Sequence, residues 1–130
     1  MLAIAEALTN IVFAPLAEGL DSVSLSANWM WPCKNPGEDA RLYKAVNAAS
    51  DFACSLGINI PTGKDSLSMT QKYGNEKVYS PGTVIISAGA EVSDVRGIVT
   101  PVIANVPGSA VYYIDFSFDS LKLGGSALFA

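Results

Sequence analysis

Histidine is absent from the 130 residues, so no mechanism that needs an imidazole base or a histidine metal ligand can run on this chain alone. Chemistry here must use carboxylates, amides, hydroxyls and lysine. Cysteine is nearly absent as well. Cys33 and Cys54 are too few for a disulfide scaffold and lack the paired spacing of a zinc site, so they read as reduced intracellular thiols. Basic residues are scarce, 8 against 12 acidic for a net charge of −4, and they are scattered singly from Lys34 to Lys122. That excludes a nucleic-acid footprint. No apolar run reaches membrane-spanning length, and no basic segment precedes an apolar signal-like stretch. The expectation is a soluble cytoplasmic protein with neither membrane nor nucleic acid among its partners.

What is present is apolar: half of the residues, with only 15% charged, enough for one domain with a sizeable core. Leu2, Ala5, Leu8 and Val12 recur at helical spacing until Pro15 stops them, which predicts an amphipathic helix over Leu2 to Phe13. SVSLSAN then alternates Ser22, Ser24 and Ser26 against Val23, Leu25 and Ala27, a half-buried strand. Pro32 and Pro36 break WMWPCKNPGED, and Glu38 and Asp39 suit the positive end of a helix dipole. From there Leu42, Val46, Ala49, Ala53 and Leu56 predict a second helix ending at Gly57. Short strands follow at Ile58 to Ile60, Ser66 to Tyr73, Lys77 to Tyr79, Thr83 to Val92 and Val111 to Phe116, with Gly74-Asn75 as a hairpin tip. Thr83 to Val92 is small or apolar throughout, which predicts a strand covered on both faces. The fold class is therefore α+β, a mixed sheet with helices on one face. Because Met1 opens directly onto helix and LKLGGSALFA begins a new pattern, a fragment lacking its first strands is expected.

The stretch IPTGKDSLSM invites a phosphate-loop reading. A Walker loop requires Gly-x4-Gly-Lys-Ser/Thr passing from strand to helix. Here five residues separate Gly57 from Gly63, Asp65 stands where the metal-binding hydroxyl belongs, and a strand pattern follows. Two readings remain. Thr62-Gly63-Lys64-Asp65 can be a plain turn between strands. Alternatively, Gly63 lets the backbone approach an anion, Lys64 supplies a point charge and the Ser66 hydroxyl donates to a phosphate oxygen. Asp65 sits badly against a bare phosphate.

GEDARLYKAV together with IPTGKDSLSM, preceded by AEALTNI and LSANWM and followed by the VIISAGAEV and DVR segments, resembles the large-form formylglycinamide ribonucleotide amidotransferase family of purine biosynthesis. The resemblance runs from about Ile4 to Ala130, within the second of two pseudo-symmetric synthetase halves. It implies part of a sheet domain of the aminoimidazole ribonucleotide synthetase type over residues 1–120, with 121–130 beginning the next domain. It also implies a parent ligase that uses ATP to activate the amide oxygen of its nucleotide substrate, and ammonia from glutamine to displace phosphate. The glutaminase domain and the first synthetase half lie outside this chain and would be its partners. The isolated chain is expected to be inactive, with no catalytic residue of its own.

The resemblance carries two sites. The motif matched by EALTN makes Glu6 and Asn10 magnesium ligands of an auxiliary ATP or ADP; residues one helical turn apart share a face, and hard oxygens suit Mg²⁺. Gly63, Lys64, Asp65 and Ser66 would border the substrate pocket, Ser66 meeting the substrate phosphate, while SANWM and NPGED would form a second surface loop near the same pocket, with Asn28 as its candidate contact. Trp29 and Trp31 read as core or domain-interface aromatics. A non-catalytic assembly module, pairing through its sheet with another copy, is the competing reading. A stand-alone nucleotide binder is a third, and the failed Walker spacing counts against it.

Overall fold

A computed structural model of the chain describes residues 1–103 and 105–115. Two units divide it, Met1–Thr100 and Pro101–Ala130. In the first, α1 (Leu2–Ile11) precedes β1 (Val23–Met30), α2 (Glu38–Ser55) and β2 (Asn59–Ser66). A hairpin of β3 (Thr70–Tyr73) and β4 (Glu76–Tyr79) follows, and then β5 (Thr83–Ala90).

The strand order β2-β1-β5 places β1 in the centre, parallel to β2 and antiparallel to β5. The parallel pair is possible because α2 carries the chain back between the two strands. Pro61 has no N–H to give to the ladder, and the β1–β2 register slips between Ser24↔Asn59 and Ser26↔Thr62, where it sits.

The alternation read in SVSLSAN is the axis of the fold. Val23, Leu25 and Ala27 are buried, and they form the core with Ile4 and Ala7 of α1, Ala49 and Ala53 of α2, Trp31 and Ile58. Both helices therefore cover the same face of the sheet. Ile86, Ala88 and Ala90 of β5, the register partners of Ala27, Leu25 and Val23, pack on that cluster too. The other face carries Ser24, which is exposed, and Ser26, Asn28 and Met30, which are half-buried, and neither helix packs on it.

Several details differ from the sequence reading. The buried stripe of α1 is Ile4 and Ala7, with Leu8 and Ile11 packed behind, while Leu2 is 88% exposed. LAIAEAL is apolar on every side, so periodicity admits more than one stripe. Trp29 and Met30 continue β1 before Pro32 breaks it. In α2 the lower part of the expected stripe is buried, but Val46 is exposed beside an apolar cleft of ≈ 360 Å³ bordered by α2 and β2. The helix ends as expected: Gly57 takes φ 71° and Ile58 N donates to Ala53 O at 3.0 Å. Ser66 to Tyr73 is broken between β2 and β3, and the hairpin turns at Gly74-Asn75, with φ 59° at Gly74. β5 is covered on one face only, since Ile85 is 52% exposed.

Of the second unit, residues 101–103 and 105–115 contain no helix or strand, so the strand expected at Val111 to Phe116 is not formed over 111–115. Phe116 and residues 121–130 lie outside the described residues.

Candidate functional site

GKDS is not a turn. It is the second half of β2, paired in parallel with the end of β1 as Ala27↔Gly63, Asn28↔Lys64, Trp29↔Asp65 and Met30↔Ser66. Side chains alternate across a strand, and register partners share a face. Lys64 and Ser66 therefore stand on the open face with Asn28, while Gly63 and Asp65 belong to the helix side.

The open-face group is compact. Lys64 Nζ donates to Ser66 Oγ at 3.5 Å, a bond long enough to be given up to a better acceptor. Asn28, one strand away from Lys64, has an Oδ1 that is buried and receives no hydrogen bond. An unsatisfied buried acceptor costs about 1–3 kcal/mol, so the site gains when a donor arrives. Across β1, Ile85 and Thr83 of β5 face Asn28 and Met30. Sequence reasoning missed these two because only the antiparallel register brings them beside residues of β1.

Gly63 and Asp65 have other duties. A Cβ on Gly63 would collide with the backbone oxygen of Ala27, so glycine is required by the approach of β2 to β1. Asp65 pairs with Trp29, whose ring packs on the core, and it lies near the entrance to α2. There Cys33 is half-buried; desolvation, and then the carboxylates of Asp39, Glu38 and Asp65, push its thiol above the ordinary cysteine value. The strand's two-residue period thus separates Asp65 from the lysine and the hydroxyl that a phosphate would meet.

NPGED leads into α2, where Asn35 and Glu38 line a cleft of ≈ 550 Å³ with Arg41, Tyr79 and Gly82 among its walls. Glu38 Oε1 accepts from Arg41 at 2.6 Å while Oε2 is buried without a donor. Trp31 is buried as expected, and its ring fills the space in which a Gly82 Cβ would stand.

Glu6 and Asn10 are exposed and one turn apart on α1. Among the described residues no group of three or more His, Cys, Asp or Glu could hold a metal ion. A carboxylate and an amide oxygen on one face fit two positions of a magnesium shell and leave the remainder to other donors.

Residues 1–91 match the model of the FGAR-AT PurM_N-like domain, and that match closes just beyond the end of β5. The chain belongs to this family. It is also 44% identical over 128 residues, 98% of its length, to human phosphoribosylformylglycinamidine synthase. A relative in Caenorhabditis elegans, described as a probable phosphoribosylformylglycinamidine synthase, is 43% identical over 127 residues, 96% of the chain. The chain spans about 10% of the length of these relatives. Membership accounts for the sheet with both helices on one face. It is in a FGAR-AT PurM_N-like sheet that Asn28, Lys64 and Ser66 come together. Among the described residues, no helix is long and apolar enough to cross a membrane.

Proposed function

We propose that the parent protein is an ATP-dependent, glutamine-fed carbon–nitrogen ligase that converts formylglycinamide ribonucleotide to formylglycinamidine ribonucleotide, and that this chain forms one wall of its substrate pocket. The observation supporting this is the open-face group of Asn28, Lys64 and Ser66. Lys64 brings a positive point charge to the substrate phosphate, and Ser66 donates its hydroxyl proton to a phosphate oxygen. Asn28 offers its unpaired Oδ1 to a donor on the ligand or to the Lys64 ammonium. All three bind and orient. Ammonia delivery would fall to the glutaminase part of the parent, outside this chain.

Glu6 and Asn10 belong to a second site in the same proposal. They would supply two oxygens to the Mg²⁺ of an auxiliary nucleotide, where the ion neutralises phosphate charge.

The test is made in the full-length enzyme, comparing substrate with its dephosphorylated analogue. A hydrogen bond to a charged group contributes on the order of 1.5 to 3 kcal/mol, so Ser66→Ala and Lys64→Ala should each lower kcat/KM for the phosphorylated substrate roughly ten-fold to a hundred-fold. Neither should change kcat/KM for the analogue. Equal losses on both compounds would show that the residues do not read the phosphate.

A further inference from the structure

The chain has only 8 basic residues, yet Lys34, Lys72 and Lys77 line a single cleft of ≈ 410 Å³ with Asn35, Ser68 and Thr70. No acidic residue lines it, and its size falls within the range of small-ligand sites. The hairpin that provides two of the lysines opposes them: Lys72 and Lys77 are direct register partners. Like charges placed opposite each other across an antiparallel pair destabilise it. Neither ion pair found among the described residues, Arg41–Glu38 or Arg96–Asp94, relieves that repulsion.

The rest of the lining is held in place and rich in donors. Pro32 bridges to Ser68, and Cys33 N donates to Leu67 O at 3.0 Å, which fixes the loop bearing Lys34 against the base of the hairpin. Asn35 Nδ2 donates to Thr70 Oγ1 at 3.0 Å. The Thr70 hydroxyl accepts there and keeps its own proton for a ligand. Three ammonium groups and two hydroxyls around one cavity ask for an anion. A phosphate monoester carries about −1.5 to −2 charges, which leaves one lysine uncompensated, whereas two or three linked phosphates match all three.

We propose that this cleft, separate from the open-face group, binds a di- or triphosphate anion, either free or as the tail of a nucleotide. The ion relieves the Lys72–Lys77 repulsion and fastens the hairpin to the loop before α2.

The ¹⁵N-labelled chain is titrated at low ionic strength, without divalent cations, with pyrophosphate, tripolyphosphate, ADP, orthophosphate and sulfate. Amide shifts should cluster at Lys34, Ser68 to Lys72 and Lys77, and pyrophosphate should bind roughly ten-fold or more tightly than orthophosphate or sulfate. ADP matching pyrophosphate identifies a site that reads phosphates alone; ADP binding more tightly identifies a nucleotide site; both support the proposal. Lys77→Glu replaces a repulsive pair by an attractive one, so the melting temperature should hold or rise while pyrophosphate binding falls at least as much. Loss of binding in a chain that melts no earlier cannot be a folding failure. The proposal is overturned if Lys77→Glu binds as the wild type does, if the shifts scatter over all the lysines, or if pyrophosphate binds no better than sulfate. An oligonucleotide that shifts the same residues at lower concentration than tripolyphosphate would replace it with a nucleic-acid surface.

Discussion

Two cysteines in one chain show how strongly placement governs chemistry. Cys54 is exposed on α2, whereas Cys33 is half-buried beside three carboxylates that disfavour its thiolate. Only the thiolate is nucleophilic. At neutral pH iodoacetamide should therefore label Cys54 first. Because the Cys33 value is raised, its thiol stays protonated below that value, and its labelling should accelerate only above the ordinary thiol range. Mass spectrometry of peptides across a pH series checks both statements; faster labelling of Cys33 at neutral pH would contradict them. Glu6 provides a different residue-scale test. If it holds the metal of an auxiliary nucleotide, Glu6→Ala in the full-length enzyme should lower Tm and release that nucleotide while KM for the substrate stays unchanged. Calorimetry and nucleotide analysis of the purified variant would measure this.

At the scale of elements, the β1–β2 pair organises the first unit. Leu25 is 1% exposed in its middle, and Leu25→Ala should cost about 2–5 kcal/mol. Gly63→Ala on β2 should cost roughly 1–3 kcal/mol by overpacking, because the obstruction is the Ala27 backbone and cannot swing aside. Urea denaturation measures both, and a Gly63→Ala chain as stable as the wild type would show that β2 does not lie so close to β1. These elements were not equally legible in the sequence. SVSLSAN announces its strand because one face is buried and the alternation is strict. IPTGKDS does not: its proline, glycine and charged residues imitate a loop, and only pairing with a strand some 35 residues earlier makes it extended. Non-local pairing overrides local propensity in strands. The same cause hid the open-face group, since the four letters GKDS are contiguous in sequence but split between two faces in space. Lys72 and Lys77, spaced symmetrically about Gly74-Asn75, could have been paired once the hairpin tip was recognised.

Among the described residues, the sheet of the first unit has no strand beyond β2 or β5 at its outer edges, and one of its faces carries no helix. Ile85 is more than half exposed on that face. Such a surface favours pairing with a partner sheet, so light scattering should show concentration-dependent self-association of the isolated chain; a strictly monomeric mass across a wide range would count against it. The isolated chain should show no amidotransfer with ATP and ammonia, and turnover by it would contradict the division of labour proposed above. The central claim, that the two faces of β2 have different work, is tested most directly by kcat/KM of Lys64→Ala and Asp65→Asn in the full-length enzyme. The account predicts a roughly ten-fold to hundred-fold loss for Lys64→Ala and wild-type kinetics for Asp65→Asn. Equal losses in both, or a loss in Asp65→Asn alone, would contradict it.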